Sequence, residues 1–154
     1  MAIHFKNIKA TFIHIPKTAG SSLEQWVYTN IPDYVRERKH AAIAEATELF
    51  GDLGTTFTFV RNPYDRLVSQ FHFVGQRAQE RMEKRAKGKK VKKSTKAEWD
   101  IKIIETYKKG FDYWLPFVYK DLDNPYELGI HLYKRGTPQT NWFAKKEIDI
   151  VIKM

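Results

Sequence analysis

Two short stretches of this chain gather the residue types that grip an anion. The first is Ile15-Pro16-Lys17-Thr18-Ala19-Gly20-Ser21-Ser22, with one cation, one glycine and three hydroxyls close together. Before it, Lys9 to Ile15 is a β-rich run that stops at Pro16; after it, Leu23, Trp26 and Val27 recur at helical spacing. A loop that leaves a strand and opens a helix aims backbone N–H groups and the positive helix end at one point. Lys17 adds a full charge there, Gly20 permits close backbone approach, and Thr18, Ser21 and Ser22 add hydroxyl donors. A serine at the head of the helical pattern is also an N-cap signal. The order is not that of a Walker A loop, in which the lysine comes at the end beside the hydroxyl residue; here Lys17 comes at the beginning. The plain alternative is a capped helix after a turn.

The second stretch is Phe59-Val60-Arg61-Asn62-Pro63-Tyr64-Asp65-Arg66-Leu67-Val68-Ser69. Arg61 stands at the carboxyl end of a predicted strand, where open α/β sheets bind ligands, and a guanidinium takes a phosphate bidentately. Ser69, two turns into the following helix, is in reach of the same phosphate. Arg66 and Asp65 read as a structural pair. Alone, an arginine at a strand end is as readily structural as functional.

The elements that position these residues alternate. Thr55 to Val60 is a strongly β-prone strand, and Asn62-Pro63 supplies an N-cap and a proline at the first helical position. Leu67, Phe71, Val74, Ala78 and Met82 continue that helix on one face. Between the two strand–loop–helix units, Ala41 to Phe50 forms another helical pattern that ends at Gly51. Thr95-Lys96-Ala97-Glu98 resembles a capping box opening a helix that stops at Gly110. Phe111 to Tyr119, interrupted by Pro116, reads as a short or broken helix, and Asp149 to Ile152 as a final buried strand. Such alternation predicts an α/β sheet with right-handed crossovers.

Composition bounds the function classes. At 154 residues, one domain spanning 1–154 is expected. A hydrophobic fraction of 42% with 14% aromatics predicts a packed globule. With no cysteine, a disulfide scaffold, a Cys-ligated metal and a thiolate nucleophile are excluded. The formal charge of +9 and pI near 9.6 point to a polyanionic partner. That charge is concentrated: residues 81–96 carry nine Lys or Arg against one Glu, and the rest of the chain 18 bases against 17 acids. The segment, from about 84 to 96, is expected to be a flexible basic insert. The N-terminus has no apolar leader and no window is long enough to span a membrane, so the expected location is cytoplasmic.

Together, HIPKTAGSSLE (residues 14–24) and FVRNPYDRLVSQF (residues 59–71) resemble the two nucleotide-binding signatures of the sulfotransferases that use 3′-phosphoadenosine 5′-phosphosulfate (PAPS). They are most similar to the carbohydrate branch that includes heparan sulfate 2-O-sulfotransferase-like enzymes. The segment Thr137-Pro138-Gln139-Thr140-Asn141-Trp142-Phe143 looks like that family's Pro-Gln segment. The resemblance implies a P-loop-like parallel β-sheet flanked by helices, in a short or C-terminally truncated version. It implies that Lys17, Thr18, Ala19, Gly20, Ser21 and Ser22 hold the 5′-phosphosulfate, and that Arg61 and Ser69 hold the 3′-phosphate. Lys17 would neutralise the leaving oxygen. His40, before the second helical pattern, is the candidate base, its alternative reading being an exposed helix-leading histidine; Glu24 is the rival base. A hydroxyl-bearing acceptor, a saccharide in the branch it most resembles, and no metal ion are implied. His14 reads as a core or supporting residue, and His4, His72 and His131 show no ligand spacing. Two other classes stay open: a non-catalytic module binding the desulfated product PAP or a polyanion through residues 81–96, and a P-loop nucleotide kinase, disfavoured by the loop order.

Overall fold

The computed structural model describes residues 2–37, 41–92, 96–116, 138–143 and 147–154. The chain divides into two compact units, Met1–Arg66 with Pro138–Met154, and Leu67–Thr137.

The first unit is built on a five-stranded sheet. Its strands are β1 (Ala2–Phe5), β2 (Ala10–Ile13), β3 (Tyr34–Glu37), β4 (Thr55–Val60) and β5 (Ile150–Lys153), in the order β3-β1-β2-β4-β5. The α/β class is as the sequence predicts, but the sheet is mixed. β2, β4 and β5 run parallel, whereas β1 is antiparallel to both β2 and β3. The antiparallel pair needs only the tight turn at residues 6–9, in which Lys9 adopts a φ of 45°.

Strand alternation divides the core between the two faces of the sheet. Ile3, Phe5, Ala10 and Phe12 face Val27 and Leu23 of helix α1 (Gly20–Asn30), with Phe57 and Phe59 alongside. Ala2 and Ile13 face the other way, onto Ile43 and Ala46 of helix α2 (Ile43–Phe50) and onto Leu53. Threonines on the strands send their hydroxyls to backbone carbonyls, Thr11 to Leu53 (2.6 Å) and Thr58 to Ile13 (2.7 Å), so no polar cost accompanies their burial. Phe12 has no exposed surface, and truncating it to alanine would cost about 3–5 kcal/mol.

β5 corrects an expectation. Ile150, Val151 and Ile152 are 48%, 52% and 41% exposed, so this is an edge strand and not a buried one. Asp149 fixes its start: its Oδ2 accepts from the Thr56 backbone N–H (2.6 Å) and hydroxyl (2.7 Å).

The second unit is helical. Helix α3 (Pro63–Ala86) begins in the first unit and continues through the second, where α4 (Ala97–Lys108) and the helical residues 111–116 join it. Phe71, Val74 and Ala78 pack with Ile103 and Trp114, as the spacing along α3 predicts. Gly75 lets the Tyr107 ring approach so closely that a Cβ there would sit 2.3 Å from it. α4 starts where expected, with Lys96 as its N-cap and no side-chain hydrogen bond from it; Thr95, which leads the expected capping box, lies outside the described residues.

The basic segment begins on the helix, which runs to Ala86, so Arg85 lies on α3 and not in the expected insert. Arg81 and Arg85 both donate to Asp100, which has no exposed side-chain surface. Arg81 Nε and Nη2 reach Asp100 Oδ1 at 2.9 and 2.5 Å, and Arg85 takes Oδ2. A buried carboxylate holding two guanidinium groups ties α3 to α4. The helix then ends normally, with Lys89 N–H donating to the Lys84 carbonyl around Gly88, whose φ is 64°.

Candidate functional site

β2 and β4 are neighbouring parallel strands, paired from Ala10↔Thr55 to Ile13↔Thr58, so the loops that follow them leave the same end of the sheet side by side. The loop after β2 carries Lys17 to Ser22, and the loop after β4 carries Arg61. Parallel pairing therefore brings both sequence motifs to one place, at the carboxyl ends of the strands.

The first loop has an unusual backbone. Lys17 (φ 69°) and Ala19 (φ 60°) are both left-handed without being glycine, a conformation costing on the order of 1 kcal/mol per residue. Thr18 between them is fully buried, and its hydroxyl donates to the Ile15 carbonyl at 2.8 Å. That corrects its expected part as a hydroxyl donor: the side chain closes the turn from within. The expected serine N-cap is also replaced. Ala19 is the cap of α1, its carbonyl accepting from Ser22 N–H (3.0 Å) and Leu23 N–H (3.2 Å). Gly20 and Ser21 are thus the first helical residues, and their N–H groups have no carbonyl within the helix to meet. The hydroxyls of Ser21 and Ser22 stand exposed at that same end. Gly20 is required by sterics, since a Cβ there would lie 2.0 Å from the buried His14 ring. His14, stacked on Phe12, therefore props the loop from below, as a supporting residue should.

The second loop begins as the sequence predicts. Asn62 Oδ1 accepts from Tyr64 N–H at 2.9 Å and caps α3, whose first residue is Pro63. Arg61 is half-buried, and among the described residues its guanidinium has no ion-pair or hydrogen-bond partner. Arg66 does not pair with Asp65. It is 4% exposed, and its Nε donates to the Pro16 carbonyl at 3.0 Å, joining the start of α3 to the start of the first loop. Burial pushes its pKa down from the usual arginine value, because desolvation disfavours the charged form.

Gln139 was visible only as part of a segment. It opens a short 3-10 turn (Gln139–Trp142) and grips the Arg61 backbone with its side-chain amide. Glu24, the rival base, is ion-paired with Arg36 of β3. His40 lies outside the described residues, as do Thr137 and His131. Ser69 is half-buried on α3, in the second compact unit. His4 Nδ1 lies 2.9 Å from the Thr11 hydroxyl and His72 Nδ1 lies 3.0 Å from the Tyr107 hydroxyl, each with a structural neighbour. Among the described residues no three His, Asp or Glu side chains gather to hold a metal ion, and no helix is long and apolar enough to cross a membrane.

Residues 2–135 match a family model described as the sulfotransferase family. The match covers both loops but stops short of Gln139. No curated protein and no solved structure matches the chain.

Proposed function

Because the chain belongs to the sulfotransferase family, whose model spans most of its length, we propose that it transfers the sulfuryl group of PAPS to a hydroxyl of a saccharide acceptor. The observation that carries this reading is the convergence of the two loops at neighbouring strand ends, with Arg61 at the second and the open N-terminus of α1 at the first. The chemistry of the donor set fits a nucleotide with phosphates at two separate positions. N–H groups, hydroxyls and Lys17 surround one point, and a guanidinium stands ready at the other.

In this reading Lys17, the open N–H groups of Gly20 and Ser21 and the hydroxyls of Ser21 and Ser22 hold the 5′-phosphosulfate. Arg61 takes the 3′-phosphate, and Ser69 keeps the part that the motif resemblance gives it. When bound, PAPS supplies the sulfuryl group: the acceptor oxygen forms the new O–S bond as the bond to the 5′-phosphate breaks, and PAP leaves. Lys17 neutralises negative charge on the departing phosphate oxygen, which is where fixed donors contribute most to rate. His40 accepts the acceptor's proton, a task suited to an imidazole that is largely neutral at pH 7. Glu24 is the weaker candidate, since Arg36 already occupies its carboxylate. The exposed lysines after Arg81 and Arg85 supply a polyanion contact for an acidic acceptor.

Thermal melting with PAP, PAPS, ATP–Mg²⁺ and no ligand tests the reading. PAP at about 100 times its dissociation constant adds about 2.7 kcal/mol of stability, a clear rise in melting temperature. The rise is expected with PAP and to disappear in Arg61→Ala. Stabilisation by ATP–Mg²⁺ with none by PAP would instead mark a kinase. With PAP and PAPS both silent, the sulfotransferase mechanism would have no donor.

A further inference from the structure

Past Val60 the sheet offers Arg61 no strand. β5 accompanies β4 as far as Val60↔Lys153, where Met154 N–H donates to the Val60 carbonyl at 2.8 Å. One residue further, Gln139 takes over. Its Oε1 accepts from Arg61 N–H at 2.9 Å and its Nε2 donates to the Arg61 carbonyl at 2.7 Å. A primary amide carries the same donor and acceptor as a peptide unit, so this side chain does at Arg61 what a neighbouring strand would do. The two residues are 78 positions apart in sequence. Gln139 is itself anchored, because the 3-10 turn it opens buries Trp142 to 4% exposure and closes through Asn141 N–H to the Pro138 carbonyl (3.1 Å).

The consequence falls on Arg61. Both of its backbone polar groups are bound, so its Cα is fixed while its guanidinium stays without a partner among the described residues. We propose that Gln139 is a positioning residue for the 3′-phosphate subsite: it holds the root of Arg61 so that the guanidinium meets the phosphate without first ordering the chain. This rests on the PAPS reading for the ligand, and on the Gln139–Arg61 hydrogen bonds for the device. Preorganisation of this kind shows in affinity, since a ligand group misplaced by about 1 Å loses on the order of a hundredfold.

The test compares PAP with 5′-AMP, which lacks the 3′-phosphate, by calorimetric titration of wild type and Gln139→Ala. PAP affinity is expected to fall about ten- to a hundredfold in Gln139→Ala, with 5′-AMP affinity changed less than about twofold. In an Arg61→Ala background the same substitution should cost PAP nothing more, because the two residues act as one unit. Gln139→Glu keeps the acceptor, loses the donor and sets a carboxylate against the Arg61 carbonyl, so it should weaken PAP as Gln139→Ala does. If Gln139→Ala fails to fold, Gln139→Asn, which keeps the amide but shortens its reach, carries the same comparison. Equal losses of PAP and 5′-AMP, or an unchanged preference for PAP, would overturn the positioning role alone. A wild type that binds PAP no better than 5′-AMP would overturn the 3′-phosphate reading and the role with it. Hydrogen exchange at the Arg61 amide checks the clamp without any ligand: it should quicken in Gln139→Ala, and unchanged exchange would also sink the proposal.

Discussion

The loop after β2 and the turn after α3 both hold cations, and they use them in opposite ways. At residues 15–22 there is one lysine, but the backbone around it is held in two left-handed, non-glycine conformations, braced by the Thr18 hydroxyl below and by Arg66 from the side. At residues 81–92 there are seven cations, and the two arginines that pack are consumed by a single buried carboxylate. Lys84, Lys87, Lys89, Lys90 and Lys92 are exposed. The first region directs a small amount of charge to a point; the second has much charge, of which only the internal part is structurally committed. Net charge therefore reports the second region, while the proposed chemistry depends on the first.

The sharpest way to break this contrast is to remove the single lysine. Lys17→Ala should reduce sulfuryl transfer by about 10²–10³-fold, the loss typical of one fixed donor at a charge-developing oxygen. Its melting temperature without ligand should stay within a few degrees of wild type, since the Thr18 hydroxyl that closes the turn is left in place. Steady-state rates and a ligand-free melt on the same preparation check both halves. A variant that keeps its turnover would show that the loop's backbone does the work unaided.

In the second region the corresponding cut is Asp100→Asn. It leaves two guanidinium groups facing a neutral amide, with side chains only 27% and 23% exposed. Breaking a fully buried pair costs about 3–5 kcal/mol, and because these arginines retain some water the expected loss is about 2–3 kcal/mol. Urea denaturation reads it. A change below about 0.5 kcal/mol, the scale of an ordinary surface substitution, would mean that apolar packing of Phe71, Val74 and Ile103 alone holds α3 to α4.

Which features were legible in the sequence follows from how far apart their causes lie. Thr55 to Val60 and the Asn62-Pro63 start of α3 are local signals, a β-branched and aromatic run and a cap, and both appear in the structure as read. β3, Tyr34-Val35-Arg36-Glu37, is not legible because it reads as charged linker; only pairing with β1 makes it a strand. The Ile150-Val151-Ile152 run looked buried because an apolar run does not say whether a further strand or helix covers it. At the site, the lysine, glycine and serines announced themselves by type and spacing. Arg66 was misassigned to Asp65 on adjacency, yet consecutive residues on a helix do not face each other, and its partner lies 50 positions away at Pro16. Gln139 is legible only as part of the Pro-Gln segment, and its contact is not, because nothing local tells that an amide will complete a strand end 78 positions away.

The smallest effect is the most telling, because it concerns the larger charge. Replacing Lys84, Lys87, Lys89, Lys90 and Lys92 together by glutamine removes five of the chain's 27 basic residues and leaves Arg81, Arg85 and Asp100 intact. Stability should fall by no more than about 1 kcal/mol, mostly from losing Lys84 in the last turn of α3, where a cation complements the helix dipole. PAP affinity at fixed ionic strength should stay within about twofold of wild type, since its proposed donors are Lys17, Arg61 and the N-terminus of α1, and exposed charges are screened by salt. Retention on a column of an acidic polysaccharide should drop, and so should its dependence on salt. If PAP binding fell along with polysaccharide retention, the lysines would be reaching the nucleotide, and the division between directed and bulk charge would be wrong. If neither changed, the lysines would be no more than a solvated helix end.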